Sequence, residues 1–292
     1  MSQQPLTTLC ADARKRLLAE VNKCIIGQEN TVDMLFLSLL CNGHALLLGV
    51  PGVAKTLMSA ALARALQLDF RRVQFTPDMM PADITGAEVL EEDEHVKKFR
   101  RIVIPGPVFT NVLLADEINR TPPKTQSALL QAMQEREVTI GRETHTLKPP
   151  FIVLATQNPL ESEGTYPLPE AQLDRFFCCL KVGYPTEDQE IAIALNAPAQ
   201  HLQAITPVLD AAQIITLQQA VRSVPVATDV ARYAVRLIGS TRPGPTGLKD
   251  ITEYIECGGS PRASQSLVLA AQARALMDGR AHVNFTDIQA VL

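Results

Sequence analysis

A chain of 292 residues is too long for one small domain and suits a large domain with a smaller satellite. Its 46% hydrophobic and 20% charged residues describe a globular protein with a substantial core. A formal charge of −4 lacks the basic footprint of a nucleic-acid holder, no run of about 18 apolar residues supports a membrane span, and MSQQPLTTLCADARKRLLAE is no secretion signal. A cytoplasmic setting is expected.

Six cysteines (Cys10, Cys24, Cys41, Cys178, Cys179 and Cys257) form no C-x-x-C pair and read as reduced structural thiols. The pattern predicts an amphipathic helix over 8–23, a turn at Ile25-Ile26-Gly27-Gln28 and a second helix over 28–41. His44–Leu48 is a short apolar run stopped by glycine, as a buried parallel strand is. An Ala- and Leu-rich helix follows over Lys55–Gln67. Further strands are predicted at Arg71–Phe75, Val112–Ala115, Phe151–Thr156 and Phe176–Val182. Strands alternating with helical stretches indicate an α/β fold, a five-stranded parallel sheet with helices on both faces. Two segments interrupt the alternation and read as hairpins: 86–104, around the polar Glu91–Glu94 run, and 136–149, around Gly141-Arg142.

Beyond Gly183-Tyr184-Pro185 the period becomes helical, through 186–195, 210–223, 227–239 and 262–277. The expected division is an α/β core over 1–183 and a small all-helical domain over 184–292. Within the latter, Thr241–Gly259 reads as a long connection. Thr286 is a good N-cap with only six residues after it, so the chain is expected to end inside a helix and the domain to continue past Leu292.

The chemistry begins at Gly49-Val-Pro-Gly-Val-Ala-Lys-Thr56, between a buried strand and a helix. A phosphate-binding loop needs a tightly turning backbone with inward N–H groups, a lysine for the outer phosphates and a hydroxyl for Mg²⁺. Gly49 and Gly52 permit the turn, Lys55 supplies charge and Thr56 can hold the metal. Pro51, Val53, Ala54 and Leu57 complete the loop and its run into the helix. Ala54 stands where the strict pattern has glycine, and is expected to keep a negative φ. An ordinary strand-to-helix turn is the alternative for this segment alone.

The apolar strand Val112–Ala115 ends in Asp116-Glu117, which places two carboxylates at the carboxyl edge of a parallel sheet, where such folds bind ligands. Asp116 fits a Mg²⁺ partner acting through water, and Glu117 a base that polarises an attacking water. Two solvated acids at a strand end would look the same in isolation. A further strand, Phe151–Thr156, runs into Gln157-Asn158, and the Asn158 amide can both donate to and accept from that water.

This loop, acid pair and asparagine, in this order, resemble the AAA+ ATPases. Three long motifs resemble the MoxR family in particular: QFTPDMMPADITG (74–86), LLADEINRTPPKTQSALLQAMQE (113–135) and ATQNPLESEGTYPLPEAQLDRF (155–176). The GxPGxAKT form of the loop, Ala54 included, is similar to that family's. The resemblance runs from about residue 10 to the end of the chain. It implies a P-loop AAA+ core with a helical lid domain, ATP and Mg²⁺ as cofactors, and a homo-oligomer, a ring of six. It implies also that Arg175 is an arginine finger reaching a neighbour's ATP, that Arg262 is the lid's second sensor, and that Ile26 and Gly27 form the adenine-side turn. A local pair with Asp174 or Glu170 is the other reading of Arg175. At Arg262, near a helix start, a cation opposes the helix dipole, and a nearby anion such as the γ-phosphate would offset that. The resemblance further implies client remodelling or metal-centre maturation with a von Willebrand factor A-domain partner. A DNA-associated motor, a magnesium-chelatase-like subunit and a nucleotide-gated scaffold are the competing readings.

Overall fold

The computed structural model describes residues 5–93, 98–159, 164–196, 198–244 and 249–292. The tip of the first expected hairpin with Glu94, residues 160–163 of the third long motif, and 245–248 of the expected Thr241–Gly259 connection lie outside the described residues. In chain order the elements are α1 (Leu6–Val21), α2 (Glu29–Leu40), β1 (Ala45–Leu48), α3 (Lys55–Ala65), β2 (Phe70–Gln74), α4 (Pro81–Thr85), β3 (Gly86–Asp93), β4 (Lys98–Pro105) and β5 (Val112–Asp116). Then follow α5 (Pro123–Glu135), β6 (Glu137–Ile140), β7 (Glu143–Thr146), β8 (Ile152–Gln157), α6 (Glu170–Leu173) and β9 (Cys178–Lys181). The remainder is helical: α7 (Glu187–Asn196), α8 (Ala211–Ser223), α9 (Thr228–Ser240), α10 (Lys249–Tyr254), α11 (Pro261–Met277) and α12 (Phe285–Ala290).

Five strands form one parallel sheet in the order β2-β5-β8-β1-β9. Its inner strands are apolar until their carboxyl ends because both faces are covered, and successive side chains go to opposite sides. Ala45 and Leu47, Val112 and Leu114, and Ile152 and Leu154 face one core with α1, α2, α3 and the C-terminal helices. Leu46, Leu113, Ala115, Val153 and Ala155 face the other, closed by α5 and β6. The two interruptions are antiparallel hairpins, β3–β4 and β6–β7. None of the six cysteines is in a disulfide.

The helical half does not keep a core of its own. Ala270, Ala271, Ala273, Leu276 and Met277 of α11 and Leu217 and Val221 of α8 are buried in the same cluster as Leu17 of α1 and Phe36 of α2. Ion pairs tie the rim. Arg14 of α1 holds Asp33 of α2 at 2.6 Å and Asp278 at 2.6 Å, while Arg274 of α11 reaches the same two acids at 3.0 and 3.2 Å. Asp33 is buried, so its charge requires these partners. Two expectations need correction. The Thr241–Gly259 connection contains a short helix, α10. The cap of α12 is Asn284 and not Thr286: the Asn284 N–H donates to the Asp287 carboxylate at 2.7 Å, and the Asp287 N–H to the Asn284 carbonyl at 3.1 Å.

His44, just before β1, is fully buried and accepts a hydrogen bond from the Val153 N–H at Nδ1 (2.9 Å) while Nε2 lies 3.0 Å from the Met133 carbonyl. This is the neutral ring with its proton on Nε2. Burial pushes its pKa down to about 3, the nearby Arg136 charge adds to this, and the Met133 carbonyl opposes it. In the unfolded chain the ring takes a proton near 6.5. The folded value is the lower one, so the contribution to stability is complete above about pH 6.5 and is lost as pH falls toward 3. The loss between pH 6.5 and 5 amounts to about 2 kcal/mol, above the range in which ordinary carboxylates titrate. Urea unfolding at pH 5 and 7 is expected to show this drop in the wild type and a nearly flat profile in His44→Gln; equal slopes for the two would contradict it.

Candidate active site

The loop after β1 starts at Gly49, whose N–H reaches the Gln157 carbonyl at 3.2 Å. A side chain is excluded there, since a Cβ would come within 2.6 Å of the Val182 carbonyl oxygen. Gly52 turns the loop at φ +88°, in the left-handed region where glycine has no penalty. Ala54 shares that region at φ 59°, ψ 22°, which corrects the expected negative φ. One alanine in this conformation costs about 1–2 kcal/mol. It persists because Ala54 caps α3, its carbonyl taking the Met58 N–H at 2.8 Å, so relaxing it would break the helix start. Among the described residues the N–H groups of Gly52, Val53 and Ala54 make no hydrogen bond to protein. The Lys55 ammonium curls over the loop and donates to the Gly49 carbonyl at 2.5 Å. The Thr56 hydroxyl, in the first turn of α3, has no hydrogen bond to the described residues.

Parallel pairing brings the acids to the same edge. Leu48 lies beside Gln157, and Ala115 beside Ala155, so all three strands end together. The loop and Asp116 therefore stand two strands apart, about 10 Å, with the end of β8 between them. Asn158 is buried at that end. Asp116 is buried too, with Oδ1 accepting from the Thr156 hydroxyl at 2.6 Å and Oδ2 from Arg72 Nη2 at 2.7 Å. The same Thr156 oxygen accepts from the Glu117 N–H at 2.8 Å. Glu117 itself adopts φ 57°, ψ 51°, so the chain swings out of the strand and its carboxylate stays at the sheet edge. Glu117 Oε2 accepts from Gln74 Nε2 at 2.5 Å and Arg120 Nη1 at 2.9 Å, leaving Oε1 unclaimed among the described residues.

Lys55, Thr56, Asp116, Glu117 and Asn158 are thus brought together. Their oxygen donors, a free threonine hydroxyl and a carboxylate, fit Mg²⁺, which is commonly held by one or two protein oxygens together with substrate phosphates. Among the described residues no group of three or more His, Cys, Asp or Glu could hold a metal ion without such help. Sequence reasoning missed Thr156, Arg72, Gln74 and Arg120. A hydroxyl inside the apolar run FIVLAT, and polar side chains two apart on β2, were the available signals.

The turn expected on the adenine side adjoins this edge. Gln28 Nε2 donates to the Gly183 carbonyl at 3.1 Å, and Gly27 (φ +79°) lies so close to the Gln189 amide that a Cβ would come within 2.4 Å of it. Ile26 is half-buried in that turn. The two arginines do not join the group. Arg175 precedes β9, whose Cys178 lies beside Ala45 at the start of β1, whereas the loop follows the end of β1. Among the described residues its guanidinium has no ion-pair or hydrogen-bond partner, so the local pair with Asp174 or Glu170 is not formed. Arg262 does pair with Asp174, at 3.1 Å, so the anion offsetting the α11 dipole is a carboxylate of the same chain.

Two family models match the chain: an ATPase family associated with various cellular activities over residues 44–178, and an AAA lid domain over 249–292. The chain is 43% identical to chaperone MoxR1 of Mycobacterium tuberculosis, across 95% of this chain and 73% of that protein. It is 42% identical to the uncharacterized protein YeaC of Bacillus subtilis (94% and 82%) and 32% identical to protein MoxR of Methylorubrum extorquens (96% and 85%). A crystal structure of a Cytophaga hutchinsonii protein assigned as an ATPase superposes with a TM-score of 0.88 at 38% identity, covering 97% of this chain and 86% of that one. By sequence and by fold, the chain belongs to the MoxR family of AAA+ ATPases.

Proposed function

We propose that this protein hydrolyses Mg-ATP and uses the cycle to remodel a client protein. The observation that carries this reading is the convergence of Lys55, Thr56, Asp116, Glu117 and Asn158 on one sheet edge. The unpaired loop amides and Lys55 neutralise phosphate oxygens. Thr56 and Asp116 would hold Mg²⁺, which when bound offsets charge on the outer phosphates. Glu117 accepts a proton from water attacking in line, and Asn158 orients that water. Ile26 and Gly27 supply the base side beside Gly183. Arg175 sits on the other edge of the sheet and serves a neighbouring subunit in a homo-oligomeric ring of six. An arginine donated in this way contributes ~10³–10⁵ in rate, or ~4–7 kcal/mol of barrier.

The family and the chaperone name of one relative support the remodelling role; a von Willebrand factor A-domain protein is the proposed partner. The cytoplasm is the proposed location, and among the described residues no helix is long and apolar enough to cross a membrane. The proposed units are residues 1–183 and 184–292, with the strands all in the first.

Two measurements separate binding from chemistry. Lys55→Ala is expected to lose affinity for a fluorescent ATP analogue, whereas Glu117→Gln binds it normally and turns ATP over ~10²-fold or more slowly. Tight binding by the lysine variant, or full turnover by the glutamine variant, refutes the assignment of that residue. The placement of Arg175 is tested by mixing: Arg175→Ala and Lys55→Ala chains, each inactive alone, are expected to regain partial ATPase activity together. No recovery would return Arg175 to a local role.

A further inference from the structure

Asp116, the acid that fits a divalent cation, is held by an arginine. Arg72 of β2 donates to Asp116 Oδ2 through Nε at 3.1 Å and through Nη2 at 2.7 Å. The strand register brings them together. Gln74 lies beside Asp116 and Arg72 beside Leu114, so Arg72, Gln74 and Asp116 share one face at the carboxyl edge of the sheet. Arg72 Nη2 donates as well to Gln74 Oε1 at 2.7 Å, and the Gln74 nitrogen faces Glu117. Two neighbours therefore fix the guanidinium over Oδ2.

We propose that Arg72 is a positioning residue that competes with a divalent cation for Asp116, so that the site refuses the free cation and takes it only together with a triphosphate. This deepens the ATPase reading above and rests on it. Three observations support it. The first is position. A cation carried by the Asp116 carboxylate, directly or through a water, would stand within a few ångströms of the guanidinium, and like charges that close repel strongly. The second is exposure. The Arg72 side chain is 48% solvent-accessible and that of Asp116 13%. Asp116 is further fixed at Oδ1 by the Thr156 hydroxyl at 2.6 Å. When the two separate, the arginine moves out to water and the acid keeps its place. The third is charge balance. Of the charged groups assigned to this edge, the carboxylates of Asp116 and Glu117 face the cations of Lys55, Arg72 and Arg120. Those acids are outnumbered, so their edge holds no excess negative charge to draw a bare divalent cation. A triphosphate reverses that balance, and its oxygens supply the cation with ligands that the protein side chains do not.

The test is Mn²⁺ binding to the nucleotide-free protein, followed by the paramagnetic resonance signal of the free ion. The wild type is expected to bind no tighter than about millimolar, and tight binding there overturns the proposal without any variant. Arg72→Gln, which keeps a polar neighbour for Asp116 and Gln74, and Arg72→Met, which keeps the apolar stem, are expected to bind at least about 10-fold more tightly than wild type. Arg72→Lys retains the charge and should stay within about twofold of wild type. A cooperative thermal transition followed by circular dichroism shows that each variant is folded. Adding Asp116→Asn to Arg72→Gln should return the affinity to the wild-type level, which locates the gained ion at that carboxylate. Unchanged affinity in both Arg72→Gln and Arg72→Met reduces the pair to a structural contact and overturns the proposal. So does a gain that survives Asp116→Asn, or an equal gain in Arg72→Lys, where charge would not be what excludes the ion. None of these readings involves turnover, so a wild-type chain that binds Mg-ATP without hydrolysing it defeats the ATPase reading separately.

Discussion

The Thr156 hydroxyl is the contact on which the acid side of the site depends. It is completely buried, donates to the Asp116 carboxylate and accepts from the Glu117 backbone. One hydroxyl thereby fixes the plane of the first acid and the backbone of the second. Glu117 holds a left-handed conformation that costs a non-glycine residue about 1–2 kcal/mol, and a buried hydrogen bond of the ordinary net value offsets roughly that much. The bond forms only because β5 and β8 pair with Ala115 beside Ala155; a slip of one residue would turn Thr156 to the other face. Register, hydroxyl and acid geometry are therefore one constraint.

Around that constraint, the charged groups of the site are matched within the chain. Arg72 answers Asp116, Arg120 and Gln74 answer Glu117, and Lys55 rests on the Gly49 carbonyl. On the proposed function, a triphosphate at this edge would exchange the Lys55–Gly49 contact for one to anionic oxygens, and charge-assisted hydrogen bonds are about twice as strong. Among the described residues Glu117 Oε1 meets no partner, so in the proposed role it would take a proton without first breaking the bonds to Gln74 and Arg120.

The sheet was legible because its strands are buried on both faces and stop at polar residues. Val112–Ala115 before Asp116, and Phe151–Thr156 before Asn158, show this as directly as any local pattern can. The loop and the acids were legible for the same reason: their spacing along the chain is set by strand–loop–helix units. What escaped was long-range. Arg72 and Gln74 act across a strand pair, and Arg262 meets a carboxylate 88 positions away. The conformation of Ala54 escaped because a local steric preference argues for negative φ, while the start of α3 imposes the opposite. Asn284 outranked Thr286 as a cap through its partner Asp287, a choice decided by hydrogen bonds and not by residue type.

Chain order and packing also divide the molecule differently. The change to helical periodicity after Gly183 is real in sequence, yet α11 and α8 share their core with α1 and α2, and Arg14, Asp33, Arg274 and Asp278 lace the same groups together. A helical half held on this side cannot swing as a free satellite without opening that core. Beside the phosphate loop its contact is narrow by comparison, with Gln189 of α7 lying over Gly27.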